Sequence, residues 1–235
     1  MNELKLSKRL EAVAEYIPMG SKLADIGSDH AYLPCYAFLQ KKITFAIAGE
    51  ITEGPFQSAN DQVTSCHLNN VIDVRKGDGL SVIERGEVDC ITIAGMGGLL
   101  IRDILETGKE KLSGVKRLIL QPNVGSKHVR QWFILNGWEL IAETILEEDE
   151  KIYEILIAER GAPYEPYEED IEKGLLVGPF LVKENNDSFK RKWTNELKHW
   201  RMILAKLDHA SHSYDNLSKK KELEQKITLV TEALT

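Results

Sequence analysis

Between residue 23 and about residue 160 the chain alternates short apolar runs with amphipathic stretches. The runs occupy 23–28, 45–50, 73–78, 90–95, 117–122, 139–146 and 151–159. Five of them are followed by segments whose apolar residues recur at helical spacing. Strands alternating with helices predict a mostly parallel sheet covered on both faces. Only the acidic EEDEK stretch separates the last two runs, which predicts a hairpin and a final strand antiparallel to its neighbour. Gly161, Ala162 and Pro163 mark a boundary, so the expected domains are residues 1–161 and 162–235. Residues 164–182 carry Pro166 and Pro179 among acidic residues and read as an irregular connector with one short helix. Beyond it, Phe189, Trp193, Leu197, Trp200, Leu204 and Leu207 step by three or four, as do Leu223, Ile227, Val230 and Leu234. Each set is one apolar stripe on a long helix. Together they predict an antiparallel helical hairpin of coiled-coil type, with its turn in 209–216.

Residues 1–17 have the pattern of an amphipathic helix. Charges interrupt it too often for a secretory signal, and no apolar run approaches the roughly 20 residues needed to span a bilayer. The expectation is a cytoplasmic protein without a membrane segment. Cys35, Cys66 and Cys90 form no CxxC pair, which fits free thiols rather than a disulfide framework. A net charge of −7 argues, as a sum, against nucleic acid as a partner. The distribution is different. Residues 183–235 hold eleven Lys and Arg against eight Asp and Glu, a net of +3, leaving −10 for the rest. Such a tail is either an RNA-facing surface or a solvated helix face.

The residues that carry chemistry sit where the runs end. The first run closes on Asp25-Ile26-Gly27-Ser28-Asp29-His30. Gly27 permits a tight turn and close approach of a ligand to backbone, and the next helix points free N–H groups into the same space. Asp25 is placed to hold an ammonium group, directly or through water. A dinucleotide loop would put a second glycine where Asp29 stands, and a carboxylate beside a pyrophosphate is electrostatically poor. The pattern favours S-adenosylmethionine over NAD. Glu50 ends the second run and suits ribose hydroxyls, or else a helix dipole. Asp78 and Gly79 follow the third run, where Asp78 either accepts from an adenine amino group or caps a helix. The fourth run leads into Gly95-Met96-Gly97-Gly98, which leaves space for a ligand, with Met96 lining that space or belonging to the core. With Ser28 and Ile51 beside them, Asp25, Gly27, Glu50, Asp78, Gly79, Gly95, Met96 and Gly97 are the candidate cofactor residues. The fold class expected is α/β, a Rossmann-like methyltransferase sheet of seven strands closed by the terminal hairpin.

The segments DIGSDHAYLP, AGMGG and QPN together resemble the bacterial tRNA adenine-22 N1-methyltransferases, the TrmK family. The resemblance spans nearly the whole chain, from LSKRL to the helical hairpin, and the motifs show no departure from the family pattern. It implies a class I methyltransferase domain with a C-terminal coiled-coil domain. The implied reaction is methylation of N1 of an adenosine in the D-arm of tRNA, with release of S-adenosylhomocysteine. Methylases of exocyclic amino groups usually carry D/N-P-P-Y/F after the fourth strand. AGMGG stands there instead, which is compatible with a ring nitrogen as target.

N1 already has an in-plane lone pair, so catalysis is mostly alignment. A carboxylate would stabilise the cationic ring and accept a proton from its amino group. Asp29 is the candidate catalytic residue, with a helix N-cap as the alternative. His30 and Tyr32 are candidates to stack on the base or bond to it. N1 is hidden in a paired or stacked adenosine, so the base has to be exposed. Gln121, Pro122 and Asn123 are candidates to hold it, or else form a rigid loop. Lys5, Lys8 and Arg9, then Lys190-Arg191-Lys192 and Lys219-Lys220-Lys221, are candidate phosphate contacts, each readable also as solvated surface. No metal is implied, and the helical hairpin can serve either tRNA or dimerisation. The competing readings are a methyltransferase for a small molecule or protein and a non-catalytic RNA-binding scaffold. The scaffold would be expected to have lost the strand-end acids. A dehydrogenase is disfavoured by Asp29.

Overall fold

A computed structural model describes residues 5–167, 170–208 and 214–235. The first helix, α1 (Lys8–Glu15), starts later than the amphipathic pattern because Ser7 caps it, its hydroxyl accepting from the Leu10 N–H at 3.3 Å. Residues 1–4 of that pattern lie outside the described residues. Then follow β1 (Ser21–Ile26), α2 (Tyr32–Leu39), β2 (Ile43–Glu50), α3 (Glu53–Ser65), β3 (Ile72–Lys76), β4 (Cys90–Gly97), α4 (Gly98–Thr107), β5 (Arg117–Val124), α5 (Ser126–Leu135), β6 (Trp138–Glu148) and β7 (Lys151–Arg160). Every expected strand is present. The expectation of a helix after the third strand is corrected. The chain makes only a 3-10 turn at Gly79–Val82 there, and Glu84-Arg85-Gly86-Glu87 carries no apolar stripe to bury.

The seven strands form one sheet in the order β3-β2-β1-β4-β5-β7-β6. β1 pairs parallel with β2 and β4, as do β2 with β3 and β4 with β5, while β7 is antiparallel to β5. Asp149 and Glu150 link β6 to β7 with φ of 49° and 62°, the left-handed pair that tight hairpin turns use. The central strands are buried on both faces: Leu23, Ala24, Ile91, Ile93, Leu118 and Leu120 are all 0 % exposed. Beneath the hairpin, Arg130 of α5 is itself 0 % exposed. It donates to Glu143 of β6 at 2.7 Å and to Glu154 of β7 at 3.0 Å, both carboxylates being equally buried.

Two compact units divide the chain. One is Met1–Thr144 with Tyr153–Pro163, and the other is Ile145–Ile152 with Tyr164–Thr235. The second unit holds α6 (Ile171–Val177), α7 (Pro179–Glu184), α8 (Asp187–Asp208) and α9 (Tyr214–Ala233). The irregular connector expected at 164–182 is instead two short helices and a 3-10 turn at Glu165–Tyr167. Pro179, read as a breaker, opens α7, where its missing N–H costs nothing. Phe189, Trp193 and Leu197 near the start of α8 share a core with Val230 and Ala233 near the end of α9, so the two helices run antiparallel. The turn expected between them at 209–216 falls largely on 209–213, outside the described residues. No helix among the described residues is long and apolar enough to cross a membrane.

Candidate active site

Parallel pairing of β3, β2, β1, β4 and β5 brings their carboxyl ends to one edge of the sheet. The winding reverses between β1 and β4, and in open α/β sheets ligands bind outside the carboxyl ends at such a point. Asp25 of β1 lies in register with Thr92 of β4 across that boundary. Its carboxylate is 3 % exposed, with Oδ2 accepting from Ser28 Oγ and Oδ1 from Thr92 Oγ1, each at 2.6 Å. Asp25 therefore ties the turn after β1 to β4 rather than presenting an open carboxylate.

Burial pushes the Asp25 carboxyl above the usual carboxylate range, against the bonds from Ser28 and Thr92 and the charge of Arg9, which lower it. A carboxyl with a raised folded pKa favours folding below its unfolded pKa, and that contribution is lost as pH rises through the folded pKa. Asp25→Asn is accordingly expected to melt above wild type at about pH 8, with the gap closing toward about pH 4. Calorimetric scans across that range check it. The two hydroxyls can turn to meet the new amide.

The loop after β1 is strained. Asp29, His30 and Ala31 have φ of 43°, 70° and 54°, a left-handed run that costs non-glycine residues about 1–2 kcal/mol each. The Asp29 N–H donates to Glu50 Oε1 at 2.5 Å, and Ala31 is 0 % exposed, so the run is held from both sides. Ala31, not Asp29, occupies the N-cap of α2, and no side chain caps that helix. The Asp29 side chain is 80 % exposed, with His30 Nε2 at 3.7 Å. The His30 ring stacks on Tyr32, centroids 5.3 Å apart and planes 19° apart.

Glu50 is buried at the end of β2, which pushes its carboxyl pKa up while the Asp29 amide lowers it. Ile51 beside it is exposed. Asp78 stands before the 3-10 turn and makes no capping bond. Gly79 has φ of 52°, and a Cβ there would come within 3.0 Å of Ile104. A cleft of about 390 Å³ opens beside these two residues, walled by Leu80, Leu100 and Ile104. A Cβ on Gly27 would collide with the Met96 methyl, so half-buried Met96 covers the β1 turn directly.

Of the Gln121-Pro122-Asn123 segment, Gln121 and Pro122 take the rigid-loop reading. Gln121 is 0 % exposed, and its amide is spent inside the protein. Its Oε1 accepts from Arg9 Nη1 at 2.5 Å and from the Gly95 N–H at 2.9 Å, and its Nε2 donates to Asn123 at 3.1 Å. Pro122 is buried as well, and of the three only Asn123 is exposed. Arg9, expected to face phosphate, turns inward to Gln121 and lies over the Tyr153 ring at 5.4 Å. Lys5 and Lys8 are exposed. In the second unit Arg191 pairs with Glu147, Lys192 lies over the Trp193 ring at 4.9 Å, and Lys220 is 4.0 Å from Glu224. Lys190, Lys219 and Lys221 are exposed. Thr92 was missed, and its signal is a polar residue inside an otherwise apolar run. Among the described residues no group of three or more His, Cys, Asp or Glu is placed to hold a metal, and Cys35, Cys66 and Cys90 form no disulfide.

The sequence profile of TrmK, described as tRNA (adenine(22)-N(1))-methyltransferase, matches residues 23–232. The chain belongs to the TrmK family. A tRNA (adenine(22)-N(1))-methyltransferase of Bacillus subtilis (strain 168) is 56% identical over 235 residues, covering 100% of this chain and 99% of the relative. The crystal structure of the B. subtilis M1A22 tRNA methyltransferase TrmK superposes with a TM-score of 0.96 at 55% identity, covering 99% of this chain and 100% of that one. A putative tRNA (m1A22) methyltransferase of Streptococcus pneumoniae, solved in complex with S-adenosyl-L-methionine, superposes with a TM-score of 0.86 at 40% identity, covering 98% and 100% of the two chains. Membership of TrmK thus extends over the sheet and the helical tail alike.

Proposed function

We propose that this chain transfers a methyl group from S-adenosylmethionine to N1 of adenine 22 in tRNA, working in the cytoplasm where that substrate resides. One observation carries the reading: acids and glycines at four neighbouring strand ends converge on the β1/β4 switch point. The donor set fits the cofactor. Glu50 suits the ribose hydroxyls and Asp78 the adenine amino group, with the cleft beside Asp78 as the place for the ring. Asp25, through Ser28 and Thr92, holds the turn that would meet the methionine end. Gly27, Gly95 and Gly97 leave the backbone bare, and Met96 closes the floor. When bound, the cofactor supplies a sulfonium methyl as electrophile.

The other work falls to side chains at the rim. Asp29 faces the developing positive charge of the ring and accepts a proton from its amino group. The His30–Tyr32 stack offers a flat surface to the exposed base. Lys5 and Lys8, with the exposed lysines of the tail, are the phosphate contacts this reading retains.

The experiment is methyl transfer from labelled cofactor to unmodified tRNA followed by nucleoside analysis. 1-Methyladenosine at nucleotide 22 is expected, and label elsewhere or nowhere would remove the assignment. Gly27→Ala is expected to abolish measurable binding of S-adenosylhomocysteine by calorimetry. Its φ of 69° disfavours any side chain, and the new methyl would displace Met96.

A further inference from the structure

Resting on the function just proposed, we infer that Asn123 is the residue that selects adenine, accepting a hydrogen bond from the exocyclic amino group and donating one to N7. The orientation of its amide follows from its neighbours. Gln121 Oε1 receives bonds from Arg9 and from the Gly95 N–H, both of which can only donate. That leaves Gln121 Nε2 to donate to Asn123 Oδ1. Asn123 Nδ2 in turn donates to the Gly95 carbonyl at 2.7 Å, a group that can only accept. Flipping either amide would set donor against donor and acceptor against acceptor. Asn123 is thus held in one sense, at the end of a strand, and is still exposed.

Each end of the amide keeps one valence, a second lone pair on Oδ1 and a second proton on Nδ2. An acceptor beside a donor complements the N6–H and N7 edge of adenine. It does not match guanine, where O6 and N7 both accept. A base engaged on that edge leaves N1 open to the methyl. The amino group has two protons: the one on the N7 side goes to Asn123, and the one on the N1 side remains for Asp29. Gln121 is then a positioning residue that acts through Asn123 and Gly95.

The test uses the full chain and tRNA ligated from two halves, with adenosine, purine riboside or 7-deazaadenosine at nucleotide 22. Purine riboside lacks the amino group and 7-deazaadenosine lacks N7, and both keep N1. Wild-type kcat/KM is expected to fall about 10- to 100-fold on each analogue. Asn123→Ala is expected to lose a similar factor on adenosine and little more on the analogues, with cofactor affinity by calorimetry unchanged. N1 differs in intrinsic reactivity among the three bases, so the coupling between variant and analogue is the deciding quantity. Equal losses by Asn123→Ala on all three substrates would make Asn123 a structural part of the loop and overturn the inference. Indifference of wild type to both analogues would do the same. Failure of wild type to methylate the adenosine transcript would overturn the underlying function, and this inference with it.

Discussion

Asp29→Asn is expected to lower kcat by about 100-fold or more, with affinity for S-adenosylhomocysteine nearly unchanged. The two effects separate because of where Asp29 sits. Its backbone N–H braces Glu50, and that bond survives any side-chain change. The carboxylate is 80 % exposed and caps no helix, so folding does not depend on its charge. Asparagine tolerates the left-handed φ of 43° about as well as aspartate does. Asp29→Ala would add backbone strain of about 1 kcal/mol and blur the comparison. Single-turnover kinetics with saturating cofactor, set beside calorimetric binding, measure both quantities. A rate equal to wild type would take Asp29 out of the chemistry and leave the loop geometry as its whole contribution.

Arg130→Met is expected to be the most damaging change to stability, at about 3–5 kcal/mol. The loss is not of attraction alone. Removing the guanidinium strips Glu143 and Glu154, two carboxylates in an interior without solvent, of their ion pairs to Arg130. For a chain of this size the melting temperature should fall by roughly 6–20 °C. Replacing all three residues together with apolar side chains of similar volume should recover most of that loss, because the desolvation cost disappears with the charges. Thermal scans of the single and triple variants distinguish the two situations. A triple variant as unstable as Arg130→Met would mean that the ion cluster shapes α5 and the hairpin beyond its charge balance.

The sheet was legible because its signal is repeated. Seven apolar runs, each ending in a turn residue or an acid, define strands whose neighbours follow from the handedness and length of their connections. The terminal hairpin was equally legible from the acidic link at 147–151. The connector was misread for a definite reason. Pro166 and Pro179 read as breaks, whereas Gly178 ends α6 at φ 92° and Pro179 starts α7. Within the candidate site, spacing alone locates positions fixed by the main chain: Gly27 and Asp78 stand just after β1 and β3, where the sequence puts them. It does not locate side chains acting across the fold. Arg9 and Gln121 are 112 residues apart in sequence, and nothing local in either indicates that one holds the other. Gln121 looked like a ligand-reading amide because its burial depends on strands that spacing alone does not superpose. Arg130 is similar: a cation on an amphipathic helix reads as surface until its two carboxylates are seen to arrive from β6 and β7.

Gly98, at the start of α4, lies against Gly125, at the end of the β5 turn. A Cβ on Gly98 would collide with the Gly125 carbonyl oxygen and come within 3.0 Å of that of Val124. The two loops that form one wall of the site are therefore interlocked backbone to backbone. Gly98 cannot acquire a side chain unless the Gly125 turn moves, and Gly125 stands at φ 75°, where side chains are disfavoured, so viable sequence drift at Gly98 has to be concerted with that turn. Redesign of the substrate pocket meets the same restriction. Segments 95–98 and 121–126 form one cassette, to be exchanged together or left in place.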